Sequence, residues 1–260
     1  MSNLSDYIRI VPLRVLLTND DGFDAPGLQA LRTTVDEVLG DLVTQVYTVA
    51  PDCQRSECGH GVSSGKPLRI VETGADAWSA SGTPADCIRF ALANVCPDVD
   101  LVLSGINAGA NLGTDLMVSG TFAAAREAYS RGVPAIAISQ YRHPNVPRSW
   151  DHAPQWLSIP LRELINQILK GDRSLWNVNL PAIEPATLAP GQTPQWVICP
   201  VDRTPIPLRY LPAKVAGEID VESAQSYHVE SDFHNRPKSP GTDIDVCFGG
   251  KISISRAVDC

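Results

Sequence analysis

The sequence predicts an α/β fold in which a mostly parallel sheet is flanked by helices and followed by a partly extended C-terminal arm. Short apolar runs alternate with segments whose apolar residues recur every three or four positions, as in parallel strands joined by helices. Ten of the 21 prolines lie after Arg173, where no strong helical stripe recurs. We therefore divide the chain into an α/β core over residues 1–172 and an appendage over residues 173–260 that completes the fold and contributes to oligomerisation.

The first element is the apolar run that begins at Leu13 and ends at Asp20, Asp21 and Gly22. It predicts a buried strand, and chemistry in such sheets collects at the carboxyl ends of the strands. The two carboxylates converge only if the chain turns, which Gly22 permits. Carboxylates held together raise one another's pKa or share a cation, for which a divalent metal is the natural partner. An ordinary turn is the alternative, because Asp-Gly is a common turn pair.

A helix and a second strand follow. Pro26 fits the first turn of the helix. The apolar stripe of this helix consists of Leu28, Leu31, Val35 and Val38. A strand over residues 43–50 comes next, and a right-handed crossover brings its end to the edge where the first strand ends. The loop over residues 52–66 therefore reaches the same edge with Ser56 and His60. His60 is a catalytic candidate, although a single loop histidine is more often solvated.

Two short strands, over residues 68–71 and 78–80, are expected to form a small antiparallel flap. A helix then starts with Thr83 as its N-cap and Pro84 in its first turn. The buried face of this helix consists of Ile88, Ala91, Leu92 and Val95.

A third parallel strand is predicted over residues 100–104, and it leads into a glycine-rich loop over residues 105–115. The glycines let backbone N–H groups approach a ligand, while Asn107 and Asn111 supply amide contacts. A flexible linker is the alternative. It fits poorly, because apolar residues alternate regularly with the polar ones.

Ser119, Gly120 and Thr121 precede an alanine-rich helix over residues 122–131. The N–H groups and dipole at the start of a helix favour an anion, so this segment suits a phosphate. Capping of the helix by Ser119 or Thr121 is the alternative and the commoner use of such residues.

The core ends with a strand over residues 133–139 and a helix expected to start near Pro160, since a proline belongs in the first turn. The stripe of this helix consists of Leu157, Leu161, Leu164, Ile165, Ile168 and Leu169. In the appendage, strand-like pieces such as residues 196–199 are short.

Composition excludes several classes of protein. Acidic residues exceed basic ones, 29 to 21, for a net charge of -8, which disfavours duplex nucleic acid as a partner. Neither a signal-peptide pattern nor an apolar run of membrane-spanning length occurs, so we expect a cytoplasmic protein that does not bind membranes. The seven cysteines lack a metal-binding spacing and are expected to be reduced, with a redox role open for Cys53 and Cys58.

Three strand-exit loops are predicted to converge, and all their candidate metal ligands are hard oxygens. These ligands come from Asp20, Asp21, Ser56 and Asn107. This chemistry suits Mg2+, Mn2+ or Ca2+ and argues against zinc.

Seven motifs occur in a fixed order over about residues 13–140. They are Thr18-Asn19-Asp20-Asp21-Gly22, Ala25-Pro26-Gly27, Ala50-Pro51-Asp52 with Ser56, Gly82-Thr83-Pro84-Ala85-Asp86-Cys87, Ser104-Gly105-Ile106-Asn107-Ala108-Gly109, Asn111-Leu112-Gly113 and Ser119-Gly120-Thr121. This ordered set closely resembles the SurE family of stationary-phase survival proteins, which are metal-dependent nucleotidases acting on nucleoside monophosphates.

The resemblance implies one divalent metal ion per subunit, Mg2+ or Mn2+, with Ca2+ as an occupant in crystals. The implied metal ligands are Asp20, Asp21, Ser56 and Asn107. Of these, the residues expected to be catalytic are Asp20, Asp21 and Asn107. The residues expected to bind the substrate are Asn111, Ser119, Gly120 and Thr121.

The expected function is that of a 5'-nucleotidase: hydrolysis of nucleoside 5'- or 3'-monophosphates by attack of a metal-bound water, with Asp20 receiving the proton. A nucleotide-binding sensor of the same fold is the alternative, suggested by Glu57 where the family usually has glycine. A Rossmann-type oxidoreductase is disfavoured, because no Gly-x-Gly-x-x-Gly turn follows the first strand. The resemblance also implies a Rossmann-like core over residues 1–172 and a C-terminal arm exchanged between the subunits of a homodimer or homotetramer, although residues 251–258 lack the family's usual ending.

Overall fold

The computed structural model describes residues 12–56, 58–213 and 225–257. Its strands are β1 (Leu13–Thr18), β2 (Val43–Pro51), β3 (Ile70–Gly74), β4 (Ala77–Ala80), β5 (Leu101–Asn107), β6 (Ala135–Gln140), β7 (Leu175–Leu180), β8 (Trp196–Ile198), β9 (Leu208–Ala213), β10 (Ser226–Ser231) and β11 (Ile252–Arg256). Its helices are α1 (Pro26–Leu39), α2 (Pro84–Phe90), α3 (Gly120–Ser130), α4 (Ala153–Leu169) and α5 (Asp243–Phe248). A π-helical turn over Ala91–Val95 extends α2.

A nine-stranded sheet with the order β3-β4-β2-β1-β5-β6-β7-β11-β8 forms the centre of the molecule. All its neighbouring strands are parallel except β3 with β4 and β11 with β7. The mostly parallel α/β sheet predicted from the sequence is thus confirmed. The expected flap exists as the antiparallel β3–β4 pair, which joins the main sheet through β2.

Apolar side chains pack on both faces of this sheet. One core cluster joins Leu17 of β1 to α1 and α4, and the other joins Leu16 to α2 and α3. Neighbouring strand residues point to opposite faces, so a strand of continuous apolar residues supplies side chains to the core on both faces of the sheet. A smaller cluster of Leu112, Tyr141, Ile244 and Cys247 lies beside the main core.

The predicted start of the last core helix is wrong. Helix α4 begins at Ala153, with Pro154 in its first turn, and Pro160 lies inside it. Pro160 cannot donate to the carbonyl of Trp156, but both side chains are buried, and the packing of this face compensates for the missing hydrogen bond.

The sheet continues beyond residue 172. Every residue of β7 is buried, and β7 pairs with β6 on one side and with β11 on the other. The segment after residue 173 therefore supplies β7, β8 and β11 to the same sheet as the segment before it. Strands β9 and β10 form a separate antiparallel hairpin. None of the helices described is long and apolar enough to cross a membrane.

Candidate active site at the carboxyl edge of the sheet

The turn after β1 is held by Asn19, which is 1% exposed. Its Nδ2 donates to the carbonyl of Gly22 (2.8 Å), and its Oδ1 accepts the N–H of Gly22 (3.3 Å). Gly22 has a φ of +109°, and a Cβ there would lie 3.3 Å from the backbone of Cys53. The turn that brings the two acids out of the strand is therefore fixed locally, by a residue whose role the sequence analysis missed.

Asp20 is 4% exposed and lies against the start of α3. The hydroxyl of Thr121 donates to its Oδ1. A Cβ at position 120 would lie 2.8 Å from the Cβ of Asp20, so this close approach requires Gly120. Burial raises the pKa of Asp20 to about 6, with the hydrogen bond from Thr121 acting against the rise and the charge of Asp21 adding to it.

The loop after β2 contacts the same turn. The N–H of Arg55 donates to the carbonyl of Asp20 (2.7 Å), and the N–H of Phe23 donates to the carbonyl of Pro51 (2.7 Å). Ser56 therefore follows a residue bonded to the acidic turn. It is exposed, and its Oγ accepts a hydrogen bond from Gln54 (2.9 Å). Glu57, on which the sensor alternative depends, lies outside the described residues.

The loop after β5 reaches the second acid. The N–H of Ala108 donates to Oδ2 of Asp21 (3.0 Å). Asn107 uses its amide nitrogen in a bond to the carbonyl of Gly109 (2.7 Å), which leaves its amide oxygen as the atom for a ligand. The end of β5 is packed closely enough that a Cβ at Gly27 would lie 2.0 Å from the carbonyl oxygen of Ile106.

The proposed metal ligands form a set of oxygen donors that fits a hard divalent cation. Among the described residues, neither Asp20 nor Asp21 takes part in an ion pair. Within the same residues, no group of three or more His, Cys, Asp and Glu side chains is placed to hold a metal. The predicted ligand set has only two carboxylates, and its other donors are neutral oxygens of Ser56 and Asn107. It is therefore not a group of that kind, and the ligand assignment stays a prediction.

The predicted substrate residues have partners within the protein. Ser119 caps α3, because its Oγ accepts the N–H of Phe122 (3.0 Å). Thr121 is bonded to Asp20. Asn111 is 8% exposed, and its Nδ2 donates to Ser139 (2.8 Å). These contacts hold the segments around the two acids in place, while a direct contact with substrate remains a prediction.

A buried network connects Asn111 to β7. Its N–H donates to Oδ1 of Asn179 (2.8 Å), and its carbonyl accepts from the amides of Asn177 (2.9 Å) and Asn179 (3.0 Å). Buried amides are costly unless paired, so this network fixes the glycine-rich loop to β7. The sequence alone gave no sign of it, because the partners are far apart in the chain.

His60 contacts charged residues of α3, and none of its hydrogen bonds in the described chain is to Asp20 or Asp21. Its Nδ1 accepts from Arg126 (2.9 Å), so its Nε2 carries the proton donated to Glu127 (2.7 Å). Arg89 (2.8 Å) and Arg131 (2.6 Å) also donate to Glu127. Burial acts to raise the pKa of Glu127, but these partners outweigh it and lower the pKa to about 2. Both ring nitrogens of His60 thus hold the loop to α3.

Comparison with known proteins gives a consistent result. The family model described as "Survival protein SurE" matches residues 15–199. A protein from Nostoc sp., provisionally named a 5'-nucleotidase, is 38% identical over 94% of this chain and 99% of its own length. The 5'-nucleotidase SurE of Paramagnetospirillum magneticum is 34% identical over 94% of this chain and 88% of its own. The crystal structure of the SurE protein from Aquifex aeolicus superposes with a TM-score of 0.73 at 27% identity, covering 93% of this chain and 92% of that one.

Proposed function

This chain belongs to the SurE family, and from that premise we propose that it is a 5'-nucleotidase, a phosphoric monoester hydrolase acting on nucleoside monophosphates. One observation of its geometry carries the proposal. Asp20 and Asp21, without an ion-pair partner in the described chain, meet the loops after β2 and β5 and the start of α3 at one edge of the sheet.

The proposed substrates are nucleoside 5'- and 3'-monophosphates. The first turn of α3 supports phosphate binding, since the dipole and N–H groups of a helix start favour an anion. Ser119, Gly120 and Thr121 form this turn, and it lies directly against Asp20. The net charge of -8 makes duplex nucleic acid an unfavourable partner.

We propose one divalent ion per subunit, Mg2+ or Mn2+, and Ca2+ also suits the donor set. Asp20 and Asp21 would hold it, together with the amide oxygen of Asn107 and the hydroxyl of Ser56. When bound, such an ion polarises the phosphoryl group and lowers the pKa of water. The chain itself orients the two carboxylates, since Thr121 occupies one oxygen of Asp20 and Ala108 one oxygen of Asp21.

We also propose a homodimer or homotetramer in the cytoplasm. The β9–β10 hairpin supports association, because it exposes several apolar side chains. These are Leu208, Tyr210, Leu211, Tyr227 and Val229. The cysteines of the described residues are unpaired, as is usual in a reducing compartment.

The test is a phosphate-release assay on purified protein with nucleoside 5'- and 3'-monophosphates, in Mn2+, in Mg2+ and in chelator. We expect release with a metal and none after chelation. Asp24, an exposed carboxylate in the same segment, gives a matched control: Asp24→Asn should retain activity and Asp21→Asn should lose it. Folded protein that releases no phosphate from any of these substrates with either metal would contradict the proposal.

A further inference from the structure

Arg142 lies beside the candidate active site, and no motif in the sequence pointed to it. In the β5–β6 pair, Ser139 is the register partner of Asn107. Arg142 follows the end of β6 by two residues, so its backbone lies just beyond the edge where Asn107 lies. Its guanidinium is within electrostatic range of the Asp21 carboxylate.

Trp150 fixes the position of this guanidinium. The guanidinium carbon lies 4.0 Å from the centre of the Trp150 ring, which is a close cation–π contact. The ring itself is anchored, since its edge lies 3.2 Å from the place where a Cβ of Gly27 would be. That same place is 2.0 Å from the carbonyl oxygen of Ile106. Arg142 is therefore held next to the junction of α1 and β5, at the side of the acidic pair.

The hydrogen-bonding groups of Arg142 are mostly unused. In the described part of the chain, its guanidinium makes one hydrogen bond, from Nη1 to the carbonyl of Ser149 (3.2 Å). Its Nε is buried and lacks a partner there. Burial and the neighbouring Arg148 lower the pKa of Arg142 to about 10, with Asp21 acting in the opposite direction, so the group stays cationic at neutral pH. A half-buried cation whose N–H groups lack partners costs free energy unless an acceptor binds them.

We propose that Arg142 binds the phosphate group of the substrate, with Trp150 holding the guanidinium plane in place. This inference rests on the proposed function, which brings a phosphate to Asp20 and Asp21. A guanidinium presents a planar fork of donors that matches two phosphate oxygens. The sugar and the base of the substrate carry no negative charge, so a fixed cation favours the phosphate over either of them.

The test compares Arg142→Met with Arg148→Met, which removes the same charge from the same segment at an exposed position. We measure KM for a nucleoside monophosphate and the inhibition constants of inorganic phosphate and of the free nucleoside. Arg142→Met should raise KM and the phosphate inhibition constant about 10- to 100-fold and leave the nucleoside constant unchanged. Arg148→Met should change each value by less than about threefold, and Arg142→Lys should recover part of the loss.

Equal losses in the two methionine variants would overturn the proposal, because phosphate would then respond to the charge of the segment and not to a contact with Arg142. An unchanged phosphate inhibition constant in Arg142→Met would overturn it as well. If Arg142→Met does not fold, Arg142→Lys against Arg148→Lys decides the question by the same criterion. Calorimetric titration with inorganic phosphate in Mn2+ keeps the two proposals distinguishable: wild-type protein that hydrolyses nothing but binds phosphate through Arg142 contradicts only the proposed function.

Discussion

Two buried carboxylates lie at α3, Asp20 against its start and Glu127 within it, and their pKa values are shifted in opposite directions. At the first turn, Asp20 receives a hydroxyl from Thr121 but no cation from the described chain, and burial raises its pKa to about 6. Farther along the helix, Glu127 receives two arginines and His60, and its pKa falls to about 2 in spite of burial.

The difference separates a carboxylate with a structural role, Glu127, from one for which we propose a functional role, Asp20. Glu127 is compensated by cations of its own chain, so it serves to hold the loop that bears His60 to α3. Asp20 keeps a charge that the described chain does not neutralise, which is the condition expected of a residue that receives a cation from solution. Burial alone does not distinguish the two residues; the identity of their neighbours does.

The largest expected effect concerns turnover. Asp20→Asn and Asp21→Asn should each lower kcat/KM by about 1000-fold or more, because each removes a charge at the proposed centre of reaction. Both should fold, since loss of like-charge repulsion does not harm the native state. Steady-state kinetics with circular dichroism checks this. Near-normal turnover in either variant would remove that residue from the site.

A pH series sharpens the contrast. In metal-free protein, the pKa of Asp20 rises from an ordinary 3.8 to about 6, so between these values the folded state holds a proton that the unfolded state releases. The free energy of unfolding should therefore fall by about 3 kcal/mol as pH rises through this window. Denaturant titrations of wild type and Asp20→Asn in chelator, at about pH 4.5 and 7, cover about 1.5 units of this window, so the stability of the wild type relative to the variant should fall by about 2 kcal/mol between them. A stability of the wild type, relative to the variant, that is constant or rises with pH would contradict this assignment.

Metal binding should raise the free energy of unfolding at neutral pH again. Mn2+ at about 100 times its Kd should stabilise the wild type by about 2.7 kcal/mol at neutral pH. Asp20→Asn and Asp21→Asn should lose this gain, whereas Glu127→Gln should keep it, because Glu127 is already compensated. Thermal unfolding with Mn2+ and with chelator measures the effect independently of activity. Equal stabilisation of all four proteins would place the metal elsewhere.

The smallest effect concerns the compensated carboxylate. Glu127→Gln should lower the free energy of unfolding by about 1–2 kcal/mol, since charged hydrogen bonds are lost but solvent reaches Arg89 and Arg131. Urea titration at neutral pH measures this change. Asp41→Asn, which breaks an exposed pair with Arg162, is the control and should change stability less. A neutral outcome for Glu127→Gln would mean that the cluster does not stabilise the fold.

Local signals made part of the site predictable. The turn at Asp20 and Gly22 follows from an apolar run ended by two acids, and the N-cap at Thr83 follows from the proline after it. In each case the cause lies within a few residues, so periodicity and capping rules apply.

Contacts that join distant segments were not predictable. The start of α4 was misjudged because Pro160 can be tolerated inside a well-packed helix. The position of Arg142 depends on Trp150, across an irregular segment, and the role of Asn111 depends on Asn179 in β7. None of these pairings leaves a periodic trace in one sequence.

The position of β11 has a consequence for how the chain matures. This strand lies between β7 and β8, although β7 and β8 are both synthesised before it. During translation, the edge of β7 therefore stays unpaired until residues 252–256 have left the ribosome, and β8 has no strand to join. An open apolar edge is a site for misassociation. A product truncated before residue 252 would therefore leave that edge of β7 open.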